Sequence, residues 1–307
     1  MSLGISIVIP VFRGEHTIAR LVEHLFGNLG DDLQEIVIVN DDSPDQSDAI
    51  CRKLVEQYRP KLTYIRLGRN FGEHNAVMAG LTHSRGDFCV IMDDDFQNPP
   101  EEVKKLVEFA RSGDFDVVYS CYDEKKHSFF RNVGSRFNNL VATLLLEKPN
   151  DLYLSSFKCI NRWLCQEILK YQGPYPYIDG LILRCTSQIG RVKVRHDARL
   201  EGKSGYTLKK LVSLWLRVFL NFSVIPLRIS TFIGFSMSFV GLCFGLLTVW
   251  EKLNSPQTPV GWASILTTVL VFSGVQMIML GLLGEYLGRT YLTVNRLPQF
   301  SIREVFE

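Results

Sequence analysis

At 307 residues the chain can hold one large domain or two modest ones. Apolar residues make up 46% of it and mean hydropathy is +0.07, slightly high for a purely soluble protein. A net charge of +2 gives no electrostatic case for a nucleic-acid partner. Seven cysteines without a CxxC pair suggest neither a zinc site nor a disulfide framework, so reduced cytosolic thiols are the plain reading.

The first apolar run, residues 5–12, is short, contains Pro10 and lacks a basic leader or cleavage site, so it is expected as a buried strand and not a signal peptide. Strand-like runs then alternate with helical patterns. The expected strands are 5–11, 35–39, 62–66, 88–92 and 116–120; residues 17–29, 45–59, 73–84 and 100–111 carry apolar side chains at helical spacing. Pro99-Pro100 followed by Glu101-Glu102 reads as a helix start, with proline in the first turn and acids at the positive end of the dipole. This alternation predicts an α/β fold with a mostly parallel sheet covered on both faces. Ligands of such sheets bind outside the carboxyl ends of the strands.

Polar residues gather at those ends. Pro10-Val11-Phe12-Arg13 closes the first strand, Asn40-Asp41-Asp42-Ser43-Pro44-Asp45 follows the second, Arg69-Asn70-Phe71-Gly72 the third, and Asp93-Asp94-Asp95-Phe96-Gln97 the fourth. Each alone could be a turn with helix caps, and Ser43 and Asp45 have that character. Four of them on one edge point to a ligand site. The absence of GxGxxG and of GxxxxGK(S/T) weakens dinucleotide and P-loop readings.

The acidic triplet is the sharpest feature. In extended backbone Asp93 and Asp95 point to one side and Asp94 to the other. Two carboxylates that close repel unless a cation lies between them. Hard oxygen ligands suit Mg²⁺ or Mn²⁺, which would also bridge a nucleotide diphosphate. Gln97, two residues on, could supply another oxygen. A solvated acidic turn is the alternative, disfavoured by the buried-type strand immediately before it.

Two later stretches mix basic and apolar side chains. Residues 129–146 set Arg131 and Arg136 among Phe130, Phe137, Leu140 and Leu144; residues 207–222 set Lys209, Lys210 and Arg217 among Leu211, Trp215 and Phe219. Both read as amphipathic helices lying in a lipid headgroup region. Packing against a soluble domain would explain them about as well, but the second runs directly into a candidate span.

Residues 229–250 and 260–284 contain no charged side chain. A bilayer core about 30 Å thick needs about 20 helical residues, and both runs suffice. The polar, proline-punctuated stretch 251–259 makes them a hairpin; two buried helices of a soluble core are the competing reading. Lys209, Lys210, Arg217 and Arg228 precede the spans, and Arg289, Arg296 and Arg303 follow them. By the positive-inside rule both the N-terminal region and the tail face the cytoplasm. Trp250 and Trp262 fall at the loop-side ends, and Gly281, Gly284 and Gly288 would permit close helix packing. The expected layout is a catalytic domain over 1–225, a transmembrane hairpin over 226–290 and a cytoplasmic tail over 291–307.

Ile7-Val8-Ile9-Pro10-Val11-Phe12, the segment from Ile38 to Asp45, and Asp93-Asp94-Asp95 resemble the inverting GT-A family 2 glycosyltransferases. The chain is similar over nearly its whole length to the polyprenyl-phosphate members, which include bactoprenol glucosyltransferases, the aminoarabinose transferase and dolichol-phosphate mannose synthase. Arg69-Asn70-Phe71-Gly72, Gly274-Val275-Gln276 and Gly284-Glu285-Tyr286-Leu287-Gly288-Arg289 resemble the bacterial two-span subgroup. That resemblance implies a GT-A nucleotide-sugar-binding domain at the bacterial inner membrane. It also implies transfer from a nucleotide sugar, UDP-sugar favoured over GDP-sugar, to polyprenyl (undecaprenyl) phosphate, and a homo-oligomer, for which a tetramer would fit. Carried over by position, Pro10, Phe12, Asp41, Asp93 and Asp94 are expected at the nucleotide, and Asp93, Asp95 and Gln97 at the Mg²⁺ or Mn²⁺ and diphosphate. Asp95, Arg131, Arg199 and Lys203 are expected to act on the phosphates in catalysis, the last two from a basic segment whose Gly202 and Gly205 suit a loop that moves.

Two departures bear on mechanism. Where bactoprenol glucosyltransferases carry Gly-Asp-Phe-Arg, this chain has Ser155-Ser156-Phe157-Lys158, so an aspartate sometimes proposed as base is Ser156 here. The QxxRW of processive members is represented only by Cys159-Ile160-Asn161-Arg162-Trp163, without the glutamine. The expected reaction is one in-line displacement with inversion, attacked by an acceptor phosphate oxygen. A phosphomonoester is largely dianionic at neutral pH and needs no proton removed, which makes serine at 156 compatible with such an acceptor. Asp151 and Asp179 are candidate orienting carboxylates. Two other readings stay open: transfer to a glycan hydroxyl, which would need a positioned base, and a non-catalytic nucleotide-binding membrane module.

Overall fold

The computed structural model describes residues 4–122, 152–173, 175–195, 197, 225–254, 261–295 and 298–307. The chain forms two units: residues 1–211 together with 296–307, and residues 212–295.

In the first unit the expected alternation is present. It runs β1 (Ile5–Val11), α1 (Ile18–Leu29), β2 (Leu33–Asn40), α2 (Ser47–Tyr58), β3 (Leu62–Leu67), α3 (Glu73–His83), β4 (Phe88–Ile91), α4 (Glu102–Ser112) and β5 (Val117–Cys121). There follow β6 (Lys158–Asn161), α5 (Arg162–Leu169), α6 (Ile178–Cys185) and β7 (Ile189–Lys193), and, after the second unit, β8 (Ile302–Phe306). The strands make one sheet in the order β7-β5-β6-β4-β1-β2-β3-β8. β1 is parallel to β2 and β4, β2 to β3, and β5 to β7; β6 runs antiparallel to β4 and β5, and β8 antiparallel to β3.

Physical causes are visible in the central elements. Every residue of β1 except Pro10 is buried, as a strand with both faces covered requires. α1 buries Ile18, Leu21, Val22, Leu25 and Leu29, one stripe at helical spacing. Each such side chain stabilises the fold by about 1.5–3 kcal/mol on leaving water. The elements not expected from sequence are β6, α5, α6, β7 and β8. Asn161, in the place of the missing QxxRW motif, starts α5: its side chain accepts a hydrogen bond from the Leu164 amide at 2.8 Å.

The C-terminal tail is part of the sheet. Phe306 stacks on Tyr64 with ring centroids 5.7 Å apart. Arg52 pairs with Glu304 and lies 4.3 Å over the Phe306 ring. The chain that leaves the first unit therefore returns to it, which demands an even number of membrane crossings in between.

The second unit contains α7 (Ile225–Asn254) and α8 (Trp262–Val294). Their stretches Ser230–Leu247 and Val271–Val294 are long and apolar enough to cross a membrane, and neither is buried by protein. Phe232, Phe235, Phe239 and Ile278 are all more than two-thirds exposed. That argues against the soluble-core reading, which needs these faces covered. A Cβ on Gly234 would meet Met279 Cε at 3.0 Å, and one on Gly241 would meet Phe272 Cζ at 3.3 Å. The two helices thus pack antiparallel through Gly234 and Gly241. Gly281, Gly284 and Gly288, the glycines singled out from sequence, have open space around them. α8 extends ten residues beyond the expected limit at 284 (294 − 284). Residues 129–146 and 207–222 lie outside the described residues.

Candidate active site

The carboxyl ends of β1 to β4 are tied together by side chains from the loops between them. Ser43 Oγ accepts from the Arg13 amide at 3.1 Å, Ser47 Oγ from Gly14 at 3.0 Å, and Asp45 Oδ2 from Glu15 at 3.3 Å. These bonds join the loop after β1 to the loop after β2. Asp45 also accepts from the Ser47 hydroxyl at 2.6 Å and the Ser47 amide at 3.2 Å. Burial opposes its ionisation, but the bonds from Ser47 and Glu15 outweigh it and lower the carboxyl below its usual range.

Asp41, expected at the nucleotide, is buried and accepts from the backbone amides of Phe71 at 2.7 Å and Gly72 at 2.8 Å. It thereby clasps the loop between β3 and α3, where Gly72 takes φ 93°, a conformation open to glycine. Burial raises the Asp41 carboxyl, the two amide bonds lower it, and Asp42 raises it again, for a net upward shift. Pro10 is half-buried at the end of β1, and Phe12 beyond it is 47% exposed, with the Arg13 guanidinium 5.5 Å from its ring centroid.

β4 ends at Ile91, so the acidic triplet lies in a turn and not in extended strand. Each acid has a different surrounding. Asp93 Oδ2 accepts from the Ser156 hydroxyl at 2.6 Å. Asp94 packs so closely on the loop after β1 that a Cβ on Gly14 would lie 2.1 Å from its Oδ2. Asp95 is buried and accepts from the Gln97 amide at 3.0 Å, with Phe96 between them at φ 58°. The Gln97 carbonyl in turn accepts from the Asp197 amide at 2.9 Å. Arg131, Arg199 and Lys203 lie outside the described residues, as does Asp151.

Three features of the site go beyond the sequence expectations, in which Asp179 appears only as a candidate orienting carboxylate. Glu73, in the first turn of α3, has an exposed side chain that nevertheless stands close to the acids of the site. Withdrawal of water raises its carboxyl first, and Asp93, Asp179 and Asp95 raise it further against Lys158, up to about 7. Its signal could have been its place directly after Arg69-Asn70-Phe71-Gly72. The second feature is an ion pair buried in the sheet, Lys158 with Asp179, to which Tyr119 Oη donates at 2.9 Å. Beside it His74 stands edge-on to Tyr177 at 5.2 Å, and burial drives the imidazole down to about 4, leaving it neutral at pH 7. The third is a polar cluster in which Ser155 Oγ accepts from Ser120 Oγ at 2.7 Å and bonds Tyr122 Oη at 2.8 Å, while Tyr122 donates to Asn98 at 2.8 Å.

No cluster of three or more His, Cys, Asp or Glu able to hold a metal exists among the described residues. Asp93 and Asp95 fit the lesser demand of a cation that takes one or two carboxylates and completes its shell with phosphate and water, as Mg²⁺ does. The negative charge both acids bring to bear on Glu73 is what such a cation would neutralise.

Comparison with known proteins shows the family of the chain. Residues 6–170 match the model of glycosyl transferase family 2, and residues 225–290 match that of the GtrB C-terminal hairpin. The chain is 31% identical to an undecaprenyl-phosphate 4-deoxy-4-formamido-L-arabinose transferase of Edwardsiella ictaluri, covering 98% of this chain and 94% of that one. It is 30% identical, over the same shares, to YkcC of Bacillus subtilis, an uncharacterized glycosyltransferase. Among solved structures, Mycobacterium tuberculosis glucosyl-3-phosphoglycerate synthase with Mn²⁺, UDP-glucose and phosphoglyceric acid aligns with a TM-score of 0.52 at 17% identity, covering 70% of this chain and 77% of that one. That likeness shows the fold.

Proposed function

We propose, from the premise that the chain belongs to glycosyl transferase family 2, that it moves a sugar from a nucleotide diphosphate donor to polyprenyl phosphate at a membrane surface. The observation that carries the reading is the occurrence in one chain of an acidic turn at the carboxyl end of β4 and an exposed apolar hairpin. The curated relative from Edwardsiella ictaluri, named for an undecaprenyl-phosphate acceptor, supports the acceptor class. The UDP-glucose and Mn²⁺ of the mycobacterial structure support a UDP-sugar and a divalent cation. The chain's basic flanks support a cytoplasmic catalytic domain at a bacterial inner membrane.

In this reading the exposed Phe12 ring, steadied by Arg13, stacks on the nucleobase, and Pro10 with the Asp41-clasped loop shapes the ribose pocket. Asp93 and Asp95 face the diphosphate, and Asp94 packs the turn against Gly14. Mg²⁺ or Mn²⁺ bound there would supply charge neutralisation for the leaving nucleoside diphosphate. Arg199 and Lys203 act on the same phosphates; the bond from Asp197 to Gln97 supports this by anchoring the chain two residues before Arg199 to the acidic turn. The acceptor is already ionised, so attack on the anomeric carbon needs no base and proceeds with inversion. The hairpin keeps the enzyme where its lipid acceptor is concentrated.

The test is transfer of radiolabel from a panel of UDP- and GDP-sugars into undecaprenyl phosphate by the full-length protein, with Mn²⁺, Mg²⁺ or EDTA. An EDTA-sensitive lipid product from one donor is expected. Label entering a glycan acceptor, with none in the lipid phosphate, would replace this reading with hydroxyl transfer.

A further inference from the structure

Ser156 stands where an aspartate is a candidate base in related enzymes, and its surroundings give it a different task. The segment that carries it is fixed at its neighbour. Ser155 Oγ accepts from Ser120 Oγ at 2.7 Å and from the Phe157 amide at 3.2 Å, and bonds Tyr122 Oη at 2.8 Å. The Phe157 carbonyl lies 2.8 Å from Ser120 Oγ as an alternative acceptor for the same proton, and Phe157 itself is fully buried in the core. A serine hydroxyl presented from so fixed a segment reaches Asp93 Oδ2 at 2.6 Å, the short distance of a charge-assisted bond.

We propose that Ser156 is a positioning residue for the cation site: it holds the Asp93 carboxylate in one orientation and so sets the affinity of that site for a divalent cation. The inference rests on the metal reading given above. A carboxylate free to rotate must lose that freedom when it binds a cation; one already held by a hydroxyl has lost it beforehand. A neutral donor suits this place. Glu73 already feels the charges of Asp93 and Asp95, and a further carboxylate within hydrogen-bond distance of Asp93 would force the pair to share a proton. The serine gives Asp93 a partner at no cost in charge. Its effect runs through Asp93 and requires no contact with sugar or acceptor.

The experiment is Mn²⁺ titration followed by electron paramagnetic resonance on the full-length protein in detergent with UDP present, comparing wild type, Ser156→Ala and Ser156→Thr. Ser156→Ala is expected to weaken Mn²⁺ binding about tenfold, the low end for groups that support metal ligands. Ser156→Thr keeps the hydroxyl and should recover most of that loss, while UDP binding in EDTA stays equal in all three. Ser156→Ala binding Mn²⁺ as tightly as wild type would overturn the proposal. So would equal weakening in both variants, because the cause would then be packing and not the hydroxyl. A wild-type protein that binds UDP but no Mn²⁺ would overturn the metal reading itself and this inference with it.

Discussion

The parallel part of the sheet, from β3 through β1 to β4, and the antiparallel insertion at β6 dispose of charge in opposite ways. In the parallel part the strand interiors are mostly apolar, Glu35 of β2 being buried and bonded by the Ser6 hydroxyl and the Arg85 amide, and the acids of the candidate site appear where the strands end: Asp41 after β2 and Asp93 to Asp95 after β4. β6 instead starts on a lysine buried to 3% exposure and balanced by Asp179 from a helix, which also accepts from the Tyr119 hydroxyl of β5. Charge at strand ends stays near solvent and is available to a ligand. Charge inside the sheet is committed to its partner, because a buried ion alone is costly. One group of acids is therefore expected to govern turnover, and the other stability.

Substitutions test that division, beginning with the largest effect. Removing one member of the buried pair, as in Asp179→Asn or Lys158→Met, should destabilise the first unit by about 3–5 kcal/mol, read as a fall in urea midpoint. Asp95→Asn should leave that midpoint near wild type and lower sugar transfer at least about 100-fold, the scale of losing one transition-state electrostatic contact. Near-normal turnover in Asp95→Asn would erase the contrast. Phe306→Ala should cost about 1–2 kcal/mol by removing a half-buried ring stacked on Tyr64.

The smallest effect sharpens the border between the two groups. Glu73 touches both by its charge, and its carboxyl lies near 7 in the fold against an ordinary 4.5. The folded chain then holds that proton more tightly than the unfolded chain does. The stability this gives is full below about 4.5 and is lost as pH rises through about 7. Glu73→Gln cannot ionise, so in EDTA its melting temperature should gain on wild type between pH 5 and pH 8, by about 2 °C at most, because the side chain is exposed and solvent screens the neighbouring acids. A constant difference across that range would show that the acids do not press on Glu73.

The same contrast explains what could be read from sequence. β1 to β4 and their helices stand out because a strand buried on both faces is an unbroken apolar run, and its polar end marks the ligand edge. Nothing local reveals that Lys158 belongs inside a sheet, since its partner Asp179 lies 21 residues on and in a helix. β8 carries Arg303 and Glu304, which look like a solvated tail until Arg52 and Tyr64 are beside them. The acids at 41 and 93 to 95 were legible as a group, but their separate surroundings were not. Which backbone amides Asp41 would clasp, and that Ser156 would reach Asp93, are consequences of the folded loops. The extended backbone assumed for the triplet is not present, because β4 stops at Ile91.

The pairing of β3 with β8 also sets an order of events during synthesis. Chains fold from the N-terminus as they are made, and β8 comes after both membrane helices. Until it arrives, β3 presents a row of unpaired backbone groups on which another strand could add. The catalytic unit is thus completed only after the hairpin has been made, so a nascent chain whose insertion stalls keeps that sticky margin open to its neighbours.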